Sequence, residues 1–247
     1  MRTKPNKKEI LQTIFSVYEE WTFNKEFACE KGCAACCTQN VTMTAVEGEF
    51  LLQHVREHEL DKWFADSLWN SDVENTNQPI LTHNAFARNC LQGIETNTDP
   101  PPLQQKPCLF LAEDNSCKVY EARPFGCRCF FSLEDCRTSG TSKQPDELLG
   151  INTVTMQIIE HLGQKEFWGN IYDILLALCC LTENKDLAEL FQEKNQLDAA
   201  TTRLLKAEPL PGFLIMPEEQ ENVGSYLEAL FKKKIQGRSL EDILNNK

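Results

Sequence analysis

The stretch "ACEKGCAACCTQNVTMT", residues 28–44, sets four thiols, Cys29, Cys33, Cys36 and Cys37, within nine positions. Thiols this crowded form disulfides, ligate metal, do redox chemistry, or pack as small apolar side chains. Gly32 in their midst permits a tight turn. Just downstream, Thr44 followed three residues later by Glu47 is a capping-box pattern that opens a helix over roughly 45–59. Upstream, Ile10, Leu11, Ile14, Val17, Tyr18 and Trp21 recur at helical spacing within 5–22. The four thiols therefore sit in a loop between two helices, the second beginning beside them.

Outward from this loop, 61–70 and 79–93 read as further helices, and "TNTDPPPLQQKP" (96–107) as a loop, since three successive prolines exclude helix and central strand. "CLFLAEDNSCKVY" (108–120) has the pattern of a small hairpin turning at Glu113-Asp114-Asn115-Ser116. From Pro145 the chain is helical again. Leu148, Ile151, Ile158 and Leu162 mark one helix, 170–182 another, and Val223, Tyr226, Leu227, Leu230, Phe231 and Ile235 a third. "AEPLPGFLIMP" (207–217) is a proline-punctuated connector. The fold class expected is mainly α: helices around an irregular cysteine-rich metal-binding core with a small β-hairpin. Its expected organisation is an N-terminal helix at 1–26, a cysteine-cluster metal-chelating domain at 27–137, and a helical C-terminal region, 138–247, packed on it.

The bulk composition narrows the chemistry. Of 247 residues 41% are hydrophobic, enough for a real core, while a net charge of −12 repels phosphate backbones and argues against nucleic acid as a partner. The basic clusters near each end lie on or beside amphipathic helices and read as solvated faces. The N-terminus has no apolar run of the secretory kind, and the longest apolar stretch, "IYDILLALCCL" (171–181), is broken by Asp173 and too short to span a bilayer. A cytoplasmic location is expected, with no membrane partner. In that reducing compartment a cysteine cluster marks metal or redox chemistry rather than disulfides.

A second group of cysteines, Cys108, Cys117, Cys127, Cys129 and Cys136, begins about seventy residues after the first. Thiolates are soft, charged donors; four of them complete a structural zinc site or hold one cubane iron–sulfur cluster. Because neighbouring side chains in extended backbone point to opposite sides, Cys36 and Cys37 need not serve the same metal. One of them packs while the other ligates, or each faces its own centre. Cys90, Cys179 and Cys180 lie in apolar helical surroundings and read as core residues.

The head "CEKGCAACC" together with the tail "PCLFLAEDNSCKVYEARPFGCR" resembles the YkgJ-type cysteine-cluster family, a CxxCxxCC zinc- or iron-chelating domain with a C-x2-C-x2-C-C head. Its tail has the form C-x-F-L, then C-x-I-Y-E-x-R-P-x-x-C-R. The tail match runs through Cys108, Phe110, Leu111, Cys117, Tyr120, Glu121, Arg123, Pro124, Cys127 and Arg128. The head departs by one residue, with three between Cys29 and Cys33. The resemblance covers roughly 27–137. It implies metal chelation through Cys29, Cys33, Cys36, Cys37, Cys108, Cys117 and Cys127, the metal being zinc or iron, including a [4Fe-4S] cluster. Cys129 and Cys136 are further candidates. Arg123 and Arg128 either offset thiolate charge or form surface ion pairs with Glu121 or Glu134. The similar cysteine pattern of flagellin lysine methylases opens an alternative, an iron–sulfur-dependent enzyme of methyl or group transfer or of redox type. A helical interaction scaffold on 145–247, with a protein partner the sequence does not identify, is the third reading.

Two other motifs compete. Cys29-x3-Cys33-x2-Cys36 has radical S-adenosylmethionine spacing, but Ala35 stands where that family places an aromatic residue, and the strand–helix alternation of its barrel is missing. His54-Val55-Arg56-Glu57-His58 matches the inverted zinc-protease motif, without the rest of that fold. His54 and His58 remain as supplementary ligand candidates. The sequence has no G-x-S-x-G, G-x-G-x-x-G or P-loop pattern.

Overall fold

The computed structural model describes residues 5–30, 32–69, 78–96, 106–191 and 199–245. Helix α1 (Lys7–Thr22) starts at Asn6, whose side chain accepts from Glu9 N, and buries Ile10, Leu11, Ile14, Phe15, Val17 and Tyr18 on one face. The cysteine loop leads into strand β1 (Thr42–Thr44) and helix α2 (Ala45–Glu57), which opens on the expected capping box. Helices α3 (Asp61–Trp69) and α4 (His83–Leu91) follow. Beyond 106 come two single-turn helices, α5 (Phe125–Arg128) and α6 (Cys136–Ser139), and then α7 (Asp146–Leu162). Strand β2 (Phe167–Asn170) runs directly into α8 (Ile171–Cys179), which is followed by the short α9 (Lys185–Ala188) and β3 (Leu205–Lys206). The chain closes with α10 (Gln220–Lys232), the two-residue strands β4 (Lys234–Ile235) and β5 (Arg238–Ser239), and α11 (Leu240–Leu244).

Two apolar clusters hold these elements. One joins α2, α3 and α8 to Phe110, Val119 and Ala122 of the cysteine-rich tail. The other joins α1, α7 and α10 to the C-terminal hairpin, and takes in Phe125 and Cys129. Phe50 on α2 packs against both. Polar links tie the same elements: Tyr18 donates to Asn152 Oδ1 at 2.7 Å between α1 and α7, and Thr155 meets the Tyr226 hydroxyl at 2.8 Å between α7 and α10.

A small antiparallel sheet, ordered β1–β2–β3, joins the head loop to the C-terminal half. Thr42 faces Asn170, Met43 faces Gly169 and Thr44 faces Trp168. Asn170 then caps α8 through Tyr172 N, while its Nδ2 donates to Gln39 O in the head loop at 2.8 Å. All nine residues of α8 are buried. The Asp173 that breaks its apolar run is paired with Arg203, which removes the cost of a lone buried carboxylate.

The mainly helical class and the helices expected from periodicity are present. Three details differ. Ile235 does not continue the last helical stripe; it lies on β4, because the chain turns at Gln236-Gly237, both with positive φ. The expected hairpin after Cys108 reduces to one bridge, Leu111 with Cys117, closed by a tight turn in which Ala112 N donates to Ser116 O. Of the three cysteines expected in the core only Cys179 is buried; Cys90 and Cys180 are exposed. Most of the proline loop, 97–105, lies outside the described residues.

Gly48 marks the closest approach of α2 to α8. A Cβ there would meet Leu178 Cδ1 at 2.5 Å and Ile174 Cγ2 at 2.9 Å. Ile174 is branched at Cβ and cannot swing aside cheaply. Gly48→Val should therefore lower stability by about 1–3 kcal/mol through overpacking, read as a fall in the urea midpoint. An unchanged midpoint would mean that the two helices separate freely.

Candidate metal centre

The head loop is fastened at its two ends to different parts of the tail. At its C-terminal end Cys37 O accepts from Cys108 N at 2.8 Å, Gln39 N donates to Lys106 O at 3.1 Å, and Thr38 bridges to Pro107. At its N-terminal end Ala28 N donates to Ser132 O at 2.9 Å, and Glu30 pairs with Arg137 at 2.9 Å. Between these fastenings Gly32 turns the chain at φ +85°, as its position in the head implies. The two cysteine groups, far apart in sequence, thus meet in space.

All twelve cysteines are free thiols. Of the seven candidates, Cys37, Cys117 and Cys127 each feel the charge of Cys108. The Cys37 thiolate is disfavoured first by the hydrogen bond with Cys36, then by burial and the charges of Cys36, Cys108 and Cys127, and that of Cys127 first by burial and then by Cys108, Cys117 and Cys129. Burial raises the Cys108 and Cys117 thiols, and burial together with these neighbours drives Cys127 well up. Cys127 is exposed on the α5 turn. Tyr172 on α8 stands behind this group; its hydroxyl donates to Cys108 Sγ at 3.4 Å and accepts from Leu109 N at 2.9 Å.

The remaining three, Cys29, Cys33 and Cys36, form a separate neighbourhood with Cys136. Burial raises the Cys29 thiol, and the charges of Cys36, Cys33 and Cys136 add to the rise. The adjacent pair connects the two neighbourhoods. The Cys37 thiol donates to the Cys36 sulfur, which lowers the Cys36 pKa and raises that of Cys37. Cys129 belongs to neither. It is buried in the α1–α7 core with its thiol toward Gly126 O, and burial pushes its pKa up to about 12. Among the described residues no three His, Cys, Asp or Glu side chains are drawn together closely enough to hold a metal ion as they stand. The donor set nonetheless fits a thiophilic cation, because thiolates that repel one another are what a divalent charge stabilises.

The two arginines of the tail have different duties. Arg123 stacks on Tyr120 at 3.7 Å and its charge favours the thiolates of Cys117 and Cys127. Arg128 is buried and pairs with Glu19 on α1 at 2.5 Å, while its other donors reach the carbonyls of Arg123 and Glu121. Neither arginine forms an ion pair with Glu121 or Glu134 in this arrangement; Glu134 pairs with Lys143. The two histidines of the protease-like motif are turned elsewhere: His58 Nδ1 bonds His54 O at 2.9 Å and the His54 ring bonds the Lys118 backbone.

Glu47 is the residue whose second role the sequence pattern leaves open. Its Oε2 accepts from Thr44 N and Thr44 Oγ1 at 2.8 and 2.9 Å, completing the capping box. Its Oε1 accepts from Phe125 N at 2.8 Å, at the start of the turn that carries Cys127. Gly126 in that turn approaches β1 so closely that a Cβ would come within 3.3 Å of Val41 Cγ1. The only sequence trace of this contact is the coincidence of T-x-x-E with R-P-F-G-C-R, which no local rule connects.

Residues 28–145 match the family model described as "CxxCxxCC: Putative zinc- or iron-chelating domain". No curated protein and no solved structure matches the chain. No described helix is long and apolar enough to cross a membrane.

Replacing Glu47 by Gln keeps its shape but turns one acceptor into a donor facing backbone N–H groups. The variant should lose about 1–3 kcal/mol, the cost of an unsatisfied buried group. Hydrogen exchange at the Phe125 amide should accelerate beyond the global change. Unchanged protection at that amide would show that the turn does not depend on the carboxylate.

Proposed function

We propose that this chain, whose residues 28–145 match the CxxCxxCC family model, chelates a thiophilic metal ion, zinc or iron, through cysteines of its head and tail. The observation that carries the reading is the fastening of the head to the tail by the Cys37–Cys108 backbone bond, which assembles thiols from both groups in one region. The seven candidate ligands are Cys29, Cys33, Cys36, Cys37, Cys108, Cys117 and Cys127. Zinc or iron, or a [4Fe-4S] cluster, would supply the positive charge that mutually repelling thiolates lack. The chain's own residues do the rest. Tyr172 orients Cys108, Arg123 offsets thiolate charge, and Glu47 and Arg128 fix the turn that presents Cys127.

A metal held this way ties the irregular tail to the head loop that leads into β1 and α2, so uptake and folding are coupled. Uptake also releases protons, because raised thiols must ionise on binding; affinity falls as pH falls. Free thiols throughout accord with a reducing, cytoplasmic setting.

Purification without oxygen, followed by metal and acid-labile sulfide analysis, identifies the species. Stoichiometric sulfide with a brown colour means an iron–sulfur cluster, and colourless protein with zinc means a structural ion. The double variant Cys33→Ala/Cys127→Ala should take up no metal and melt at lower temperature. Full metal content in that variant would overturn the reading.

A further inference from the structure

The proline-punctuated connector 207–217 is a strap whose main chain is fastened by side chains of α7 and α4. Glu208 N donates to Glu160 Oε1 at 2.8 Å, and Glu208 O accepts from Asn84 Nδ2 at 3.0 Å. Farther along, Gly212 O accepts from Gln157 Nε2 at 2.9 Å, and Leu214 N donates to Gln157 Oε1 at 3.0 Å. Between these fastenings lies Pro209-Leu210-Pro211, with both prolines exposed. A proline has no N–H, so the Leu210 amide is the one main-chain donor of the three residues. Its acceptor is His161 Nδ1 on α7, at 3.1 Å.

An amide donor at Nδ1 fixes the state of the ring. Nδ1 accepts only when it carries no proton, so the imidazole is neutral and its one N–H is at Nε2, where it donates to Leu244 O on α11 at 3.3 Å. The imidazolium has an N–H at both positions. It keeps the bond to Leu244 and sets one N–H against another at Leu210. We propose that His161 is a pH-gated latch: neutral, it fastens the strap at Leu210, and protonated, it releases 209–211 while holding α11. The latch is closed above the titration of the ring and opens as pH falls through it. The charged groups on the elements around it are Glu160 and Lys165 on α7, Glu208 on the strap with Arg88 on α4, and Glu241 and Asp242 on α11. Glu160 is taken by the amides of Asn84 and Glu208, Glu208 by Arg88, and Asp242 by Ser239. Burial raises the Glu160 carboxyl, but its bond on the strap is to Glu208 and not to Leu210. The latch lies outside residues 28–145 and is independent of metal chelation.

The test follows amide exchange in the full chain by NMR from about pH 8 to about pH 5, the range in which an imidazole titrates, as protection relative to the unstructured rate. The His161 ring is titrated in the same samples. Protection of the Leu210 amide should fall about tenfold, the equivalent of one hydrogen bond, with the midpoint of the ring. The Leu214 amide, held by the non-titrating Gln157, should keep its protection. His161→Asn sets a non-titrating oxygen in the place of Nδ1 and should hold Leu210 protection constant over the range. His161→Phe should leave it low at every pH. Circular dichroism matching the parent qualifies both variants, and the two amides of the parent decide the question without them. Three results would overturn the latch: a Leu210 amide that stays protected while the ring titrates, one that loses protection together with Leu214, or one that still loses it in His161→Asn. The last would assign the loss to Glu160 or to the Arg88–Glu208 pair.

Discussion

The arrangement of the cysteine region depends on one buried carboxylate. Glu47 closes the N-terminus of α2 through Thr44 and, with its other oxygen, takes the amide of Phe125. Desolvation raises its pKa and its three hydrogen bonds oppose that rise, so the carboxyl is retained in the interior only because its donors surround it. Arg128 completes the restraint from the opposite side. It pairs with Glu19 on α1 and covers the Phe15 ring at 4.3 Å, so the turn 124–128 is held between α1 and α2. Cys127 owes its place to those two charged side chains, Glu47 reaching in from α2 and Arg128 reaching out from the turn to α1.

Much of this was legible in the sequence where the signal is local. The capping box at Thr44 and Glu47, the amphipathic stripes of α1, α7 and α10, and the turn at Gly32 follow from side-chain spacing and backbone sterics within a few residues. The sheet was not legible. Its strands are two to four residues long and come from positions 42, 167 and 205, too short for an alternation to register and paired only through tertiary contact. The exposure of Cys90 and Cys180 was misread for a related reason. Each lies at the C-terminal end of a helix beside an apolar residue, Leu91 or Leu181, that is itself exposed, so apolar sequence neighbours are no guide to burial there.

For the candidate site, the grouping of cysteines was legible and their geometry was not. Head and tail are read from residue type and spacing. That Cys129 turns into the core while Cys136 comes round to Cys29 depends on the 129–136 segment, whose course is set by Ser132 and its bonds to Glu134 and Lys143. Arg128 shows the limit of motif reasoning most clearly. Its neighbours in sequence suggest a partner for thiolates, yet five bonds of side chain carry its charge to α1, a choice made by packing.

The vicinal pair is the point at which these constraints meet. A hydrogen bond between Cys36 and Cys37 lets one sulfur carry charge at the expense of the other, which is the most economical state for two thiols forced into contact. Backbone bonds on either side pull the pair in opposite directions, Cys37 toward Cys108 and the head before it toward Ser132. The pair lies in a turn, where Cys37 N donates to Ala34 O at 3.0 Å and Thr38 N to Cys36 O at 2.9 Å, so the alternation of side chains that an extended backbone imposes does not separate the two sulfurs.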